Sequence, residues 1–593
     1  MDFDELYVEE PYTPDYELLN IGALRRYKIP VPQASSYIGL EVQVNDRGDL
    51  IRMITSDGDV YRTLDDLFDG SPSGACYLVF EPHELDSMVK PLGEDACRML
   101  YDGNNYYKTH MHISYTVARL ISVWKNYKTV RINSLKAWFR QFEMSKARQI
   151  VGLAPSSDLQ SRQVLELWLA ILESTRDLWQ VPLPCKIYAP SLISKPGVEE
   201  GLGLVDVPWI PQGVQEMAYN CIHAPWVDVF KKGVVEEAYD YDLNSAYPYE
   251  IYQLPTLDYM GGKWENSTEY DPFAMYGFCQ ALITVYENVH ASPIKLRFEG
   301  RIYSPYGSWI GYITRDEIDY LHKHKLGKVE ILDGWWFRAG TRIYPFRRGA
   351  SAYIHGRDKA RMEGNTPRAY ALKMAAASVY GRFLQKKQDL EGDWFTSGTF
   401  CPVYACIVMT RVKMRLAEYA LLLGEDVISV NVDGLVSETE LAREHVSDPN
   451  DIGGLKLAHV GKLLSVAPLM YSVSGRDSVL DWFALAEASL DEDAIDIGGP
   501  RRVGLCEALY SGEFELLASA NRIESRLLVR AEHGRSWDKT PIKVRQLLTD
   551  SYSSRMLHVE EIVWRALAVD KLNNEKLMDD LTEILNESVG GSM

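Results

Sequence analysis

The chain has no Cys-x-x-Cys pair and no apolar run near the roughly 20 residues that a membrane helix needs. Its eight cysteines, Cys76, Cys97, Cys185, Cys221, Cys279, Cys401, Cys406 and Cys506, are scattered through 593 residues. That spacing argues against a zinc site or a disulfide framework and for reduced thiols in a cytoplasm-like compartment. The opening, MDFDELYVEEPYTPDYE, holds no basic residue and does not read as a signal or transit peptide. Positive charge is scarce overall: 63 Lys and Arg stand against 83 Asp and Glu, a net charge of −20. Indiscriminate nucleic-acid binding is thereby excluded, while a local basic channel is not. Hydrophobic residues at 46% are ordinary for a globular protein, and the length asks for several cores.

The chain is organised around residues 238–250, AYDYDLNSAYPYE. Alternation predicts a strand through Leu243, ended by Asn244, Ser245 and the Tyr247-Pro248 step. Asp242 is thus placed at a strand end, where a carboxylate can reach a metal. Taken alone, it reads better as a cap for a following helix. A second stretch is an αα-hairpin: a helix over 356–363, a break at Gly364-Asn-Thr-Pro367, and a helix over 368–380. Arg361 and Lys373 then flank one site. Lys373, Ala376, Ala377 and Tyr380 share a helix face that offers a cation, a small floor and an aromatic ring. In the third stretch, a strand over 426–431 leads to Asp433-Gly434, a tight-turn dipeptide that lifts a carboxylate off a buried strand.

Residues 1–30 read as an acidic, Tyr-rich arm. A β-hairpin is predicted from Tyr37 to Ile54 around Asn45-Asp-Arg-Gly48, with a buried strand at 76–80. Residues 111–150 read as helical and basic, carrying Arg119, Lys125, Lys128, Arg131, Lys136, Arg140, Lys146 and Arg148. An amphipathic helix is expected over 156–179. Residues 181–225, rich in Pro and Gly, read as a linker, and 256–346 as strands and turns. Residues 384–399 read as a short polar connector and 402–423 as a long helix. Beyond Val473 the chain reads as helical, with a second basic cluster at Arg526, Arg530, Arg535, Lys539, Lys543 and Arg545.

The three stretches, Asp242-Leu-Asn-Ser-Ala-Tyr-Pro248, Lys373-Met-Ala-Ala-Ala-Ser-Val-Tyr-Gly381 and Ser429-Val-Asn-Val-Asp433-Gly434, occur in the order of motifs A, B and C of family B DNA polymerases. They resemble most the protein-primed branch of phages, viruses and linear plasmids. The resemblance implies an α/β multidomain fold: a right-hand polymerase with palm, fingers and thumb behind an N-terminal RNase H-like exonuclease-type domain. The implied boundaries are an exonuclease-like domain at 31–185, a linker at 186–237, and palm with an insertion at 238–350. Fingers at 351–385, palm at 386–472 and thumb at 473–593 follow.

By the same resemblance Asp242, Asp433 and the Leu243 carbonyl hold two Mg2+ ions, with Mn2+ as a substitute. Arg361 and Lys373 neutralise the triphosphate, with Ser245 and Tyr380 also on the substrate. Tyr247 lies beneath the sugar and selects deoxyribonucleotides, and Gly381 and Tyr471 touch DNA. The implied partners are primer-template DNA, dNTPs, and a terminal priming protein or other replication proteins. The implied place is the cytoplasm, that of the host if the chain is viral, with no membrane partner. Four departures stand out: Asn431 replaces the first aspartate of motif C, Ala377 an asparagine, Leu469 the lysine of a Lys-x-Tyr element, and Tyr219-Asn-Cys-Ile lacks the glycines of Tyr-x-Gly-Gly. The exonuclease motifs are degenerate. Gly39-Leu-Glu41 stands for Asp-x-Glu, Asp86 follows Pro82 where an asparagine belongs, and Asp158 follows Ala154 in place of a tyrosine. A DNA polymerase with weak or absent 3′–5′ proofreading is therefore expected. A primer-independent polymerase and a catalytically idle DNA-binding scaffold are the alternatives.

Overall fold

The computed structural model describes residues 33–562, apart from short internal stretches. The expected arm at 1–30 and the last part of the chain, 563–593, lie outside the described residues.

The predicted hairpin forms from Ser36–Val44 and Leu50–Thr55, which pair antiparallel with Leu40 opposite Thr55. Gly48 closes its turn at φ 78°, a left-handed conformation that glycine reaches without strain. The strand Ala75–Val79 is buried at every position and runs parallel to both Ser36–Val44 and Lys128–Ser134. Such two-sided burial explains its unbroken apolar sequence. These strands form the middle of an eight-stranded mixed sheet. The amphipathic helix Gln160–Thr175 lies across it, with Val164, Leu167, Trp168 and Ile171 fully buried. That helix passes so close to Gly39 that a Cβ there would overlap the Ser161 carbonyl oxygen and sit 3.2 Å from Leu165 Cβ.

The helical reading of residues 111–150 is corrected. Met111–Thr116, Leu120–Lys125 and Lys128–Ser134 are consecutive antiparallel strands, and only Lys136–Phe139 and Met144–Ile150 are helical. The basic spacing suggested a helix face, but the apolar residues keep period two: Met111, Ile113 and Tyr115 are buried while His112 and Thr116 are exposed. Arg140 lies outside the described residues. The expected linker is corrected too. It contains the helices Ser191–Gly203 and Gln212–Asn220. The glycines that made it look loose are contact points. A Cβ on Gly197 would come 3.0 Å from the Tyr353 hydroxyl, and one on Gly201 would collide with the Phe346 ring.

A second sheet carries the polymerase motifs. Its order is Met470–Val473, Leu455–Ala467, Lys231–Leu243, Gly434–Ser437, Val427–Asn431 and Val227–Val229, with Ser551–Met556 added on Lys231–Gly233. The long helix Pro402–Leu423 packs on this sheet through Val412, Leu416, Ala417 and Ala420. Lys263–Asn266, Tyr276–Val285, Gly307–Thr314 and Gly327–Arg338 form a separate four-stranded antiparallel sheet. The helices Arg347–Met362 and Thr366–Arg382 form the expected αα-hairpin. They are tied to the first block by the fork of Arg368 on Asp177, at 2.6 and 2.8 Å, and by Tyr370 stacked on Phe139.

The helical reading beyond Val473 is also corrected. Up to residue 562, the short helices Trp482–Glu487, Leu505–Ser511 and Val544–Thr549 alternate with strands. Of the second basic cluster, Arg535 is buried and Arg530 lies outside the described residues. Residues 503–517 turn back onto the first block, where Leu505, Ala508 and Leu509 share a core with Leu85, Met88 and Leu100.

The close approach at Gly39 sets a test. Gly39→Ala should cost about 1–3 kcal/mol by overpacking and lower the thermal midpoint followed by circular dichroism. An unchanged midpoint would contradict the contact.

Candidate active site

Strand register brings the two aspartates together. Asp242 stands opposite Gly434 in the antiparallel pairing of Lys231–Leu243 with Gly434–Ser437, so Asp433 lies at the adjoining turn. The Leu243 N–H donates to the Asp433 carbonyl at 2.8 Å and locks one motif to the other. Gly434 permits the close approach, because a Cβ there would come 2.7 Å from the Tyr241 carbonyl oxygen. The left-handed residue of the turn is Val432, at φ 69°, rather than the glycine. A β-branched residue with that φ is strained, and the strain sits beside the aspartate it presents. Asp433 is half-buried. Burial first, and the Asp242 carboxylate second, push its pKa up to about 6. Two carboxylates facing one cleft, one of them poorly hydrated, form an oxygen-only donor set suited to a hard divalent ion. Among the described residues, no group of three or more His, Cys, Asp or Glu side chains could hold a metal. The site is thus a carboxylate pair that a backbone carbonyl such as that of Leu243 would have to complete.

Asn431 does not point into this pair. Its amide donates to Ser429 Oγ at 2.9 Å and its carbonyl oxygen accepts from the Leu469 N–H at 3.4 Å. The residue that replaces an aspartate therefore braces the turn.

After Asp242 the chain is stapled down before it turns. The Asn244 N–H donates to the Gly454 carbonyl, the Gly453 N–H to the Asn244 carbonyl, and the Asn244 amide to the carbonyls of Pro449 and Asp451. Ser245, at φ 57°, starts the helix Ala246–Tyr252 and takes a 2.9 Å hydrogen bond from Arg357 Nη1. Tyr247, on that helix, packs on Tyr380 of the helix Thr366–Arg382 with ring centroids 4.9 Å apart. Burial holds both phenols well above their ordinary pKa.

Arg361 and Lys373 line one cavity of about 280 Å3 with Ile150, Gly364, Thr366, Ala369 and Tyr370. Lys373 opens to solvent, yet the protein packed around its stem, and then Arg361 and Arg357, keep its pKa below the usual lysine value. The expected helix face is split. Lys373 and Ala377 are exposed, while Ala376 is buried and Tyr380 half-buried. Ser378 bonds to Ser194 Oγ at 3.0 Å and is structural. Gly381 is exposed at the end of the same helix.

Tyr471 is half-buried and its hydroxyl accepts from Arg476 Nη1 at 2.8 Å. The same nitrogen pairs with Asp240, which lies two residues before Asp242 on the same strand face. Burial pushes the Asp240 pKa up to about 6 in spite of that cation. Lys456 pairs directly with Asp242, Nζ to Oδ2 at 3.0 Å. The sequence reading missed Arg357, Lys456 and Arg476. Arg357 stands one turn before Arg361, a signal that spacing carries. Lys456 and Arg476 are visible only once strand register is known.

The exonuclease-type positions do not converge. Gly39 and Glu41 lie on the first strand, Glu41 accepting from Gln43 at 2.9 Å, and Asp158 is exposed. Asp86 is buried. It accepts from the Tyr115 hydroxyl at 2.6 Å and from the backbone N–H of Leu505, and burial pushes its pKa up to about 6. It caps the helix Leu505–Ser511 from outside the usual reach of a capping residue. Glu84, the other buried carboxylate nearby, accepts from the backbone N–H groups of Val42, Phe80 and Glu81. The Tyr219 of the weak Tyr-x-Gly-Gly match ends the helix Gln212–Asn220, and its hydroxyl accepts from Lys386.

Residues 225–397 match the family model described as DNA polymerase type B, organellar and viral. Among solved structures, the fold is similar to that of phi29 DNA polymerase. With the single-stranded DNA complex the identity is 11% and the TM-score 0.59, over 83% of this chain and 99% of that one. With the ternary complex of primer-template DNA and incoming nucleotide the values are 11% and 0.57, over 84% and 100%. With the orthorhombic crystal form they are 12% and 0.55, over 74% and 88%. No curated protein matches the chain by sequence.

A raised Asp433 pKa fixes the sign of a pH effect. Between the unfolded value near 3.8 and about 6 the folded chain holds the extra proton, so this group's contribution to stability falls as pH rises. In metal-free buffer, Asp433→Asn should therefore raise the thermal midpoint at about pH 8, and the gain should vanish near pH 4. A midpoint difference independent of pH would contradict the raised pKa of Asp433 beside Asp242.

Proposed function

We propose that this chain, whose residues 225–397 match the type B DNA polymerase model of the organellar and viral kind, is such a polymerase: it extends a DNA 3′ end on a template, copies a viral or plasmid genome, and does not proofread. The observation that carries this reading is the meeting of Asp242 and Asp433, far apart in sequence, across one strand pairing.

Divalent ions held by Asp242, Asp433 and the Leu243 carbonyl would activate the 3′-hydroxyl and neutralise the leaving pyrophosphate. The chain's own groups supply position and charge. Lys373 and Arg361 meet a triphosphate in the cleft they share, the arginine through its fork. Arg357 fixes Ser245, and so the left-handed turn that starts the Tyr247 helix. Tyr247, wedged against Tyr380, presents a rigid ring at the sugar and collides with a 2′-hydroxyl. Tyr471, held by Arg476, and Gly381 approach the DNA backbone.

The reading without proofreading rests on the first block. A side chain at the Gly39 position is blocked by the overlying helix, so the missing aspartate cannot be accommodated there as the chain now packs. Asp86 is committed to Tyr115 and Leu505, and Asp158 is turned to solvent. A two-metal nuclease needs clustered carboxylates. The four-stranded insertion supports a protein partner at initiation, a terminal priming protein, with dNTPs and primer-template DNA as the substrates.

Primer extension with Mg2+ tests the assignment. Asp242→Asn and Asp433→Asn should each lose incorporation by at least about 100-fold while keeping the wild-type fold. Near wild-type extension by either would remove the site. Tyr247→Ala should admit ribonucleotides. In the same reaction a labelled 3′ end should stay intact without dNTPs; magnesium-dependent trimming that disappears in Asp86→Ala would overturn the proofreading claim.

A further inference from the structure

Lys456 occupies a place that the reaction outlined above leaves without a role. It is the direct cross-strand partner of Asp242 in the pairing of Lys231–Leu243 with Leu455–Ala467. Paired residues in an antiparallel ladder project to the same face, so the lysine cannot avoid the carboxylate. The start of its strand is pinned by the Asn244 hydrogen bonds to Gly453 and Gly454 and by Arg415 on the Gly453 carbonyl. Its Nζ is 3.0 Å from Asp242 Oδ2, with 27% of the lysine and 39% of the aspartate side chain exposed. An ion pair as open as this stabilises a fold little and is easily exchanged.

The other cations around the site have closer contacts of their own. Arg476 is on Asp240, Arg357 on Ser245 and Asp358, and Lys373 faces the cavity with Arg361. Asp433 also feels Lys456 and Lys373. Asp242 and Asp433 thus meet two lysines, and Asn431 contributes no charge. A divalent ion on Asp242 competes with an ammonium that is already there. Lys456 also lies near enough to Lys373, which lines the cavity with Arg361, for the two charges to act on each other.

We infer that Lys456 is a resident counter-ion of Asp242 that a divalent ion displaces and that then binds the incoming nucleoside triphosphate. Before an ion binds, it holds the Asp242 carboxylate in position. No bond forms or breaks; one ion pair is exchanged for another. The inference rests on the polymerase reading, and its test separates the two.

Mn2+ binding to the substrate-free chain, followed by electron paramagnetic resonance, is compared among wild type, Lys456→Met and Lys456→Arg. Michaelis constants for dNTP are measured on the same proteins. Removal of a cation next to the ion should tighten Mn2+ binding by about tenfold in Lys456→Met. The same variant should raise the dNTP KM by a similar factor, while Lys456→Arg stays near wild type in both. Lys456→Gln replaces the methionine variant if that one fails to fold. Unchanged Mn2+ affinity, or an unchanged KM, overturns the inference while leaving the polymerase assignment intact. A wild-type chain that binds no Mn2+ and extends no primer removes the assignment itself, and the inference with it.

Discussion

One backbone hydrogen bond sets the rest of the site, the Leu243 N–H on the Asp433 carbonyl. It joins a strand end and a hairpin turn whose side chains repel each other. The repulsion shows in the Asp433 carboxyl, pushed up to about 6 by burial and by Asp242. The chain tolerates it because the surrounding packing over-determines the geometry: Gly434 lets the strands close, Val432 accepts a left-handed turn, and Asn244 staples the segment after Asp242. Strain and like charge kept in one place at the cost of stability are what a preorganised ion site requires.

The motif departures acquire physical meaning in this setting. Asn431 cannot add charge, and it braces the turn through Ser429 and Leu469. Leu469, exposed and at φ 65°, sits at the hairpin tip where a lysine was expected. Cations reach the region by another route, Arg476 through Asp240 and Tyr471, and Lys456 through Asp242. In the first block, carboxylates that a nuclease would gather serve as hydrogen-bond acceptors for backbone and tyrosine. The segment around Leu505 is anchored on one of them.

The local parts of this arrangement were legible in the sequence wherever one element carries the signal. The Asp242 strand, the finger hairpin and the Asp433 turn all follow from period, breaker residues and turn dipeptides. Residues 111–134 misled because their basic spacing mimics a helix face while the buried set alternates. Residues 191–203 misled because Gly197 and Gly201 serve close packing rather than flexibility. The region beyond Val473 misled because its short strands are set by partners not adjacent in sequence, Ala494–Asp496 by Arg526–Leu528 and Ser551–Met556 by Lys231–Gly233. Lys456 was illegible for the same reason, since register between distant strands is not written in either one.

The central claim is that Asp242 and Asp433 hold the same divalent ions. Iron(II)-mediated cleavage of the folded chain measures this directly, because hydroxyl radicals made at a bound ion cut the backbone beside its ligands. The account predicts cuts near both 242 and 433 that fade together as Mg2+ is added. Cuts near one aspartate alone, or pairs of cuts that Mg2+ suppresses at different concentrations, would contradict it.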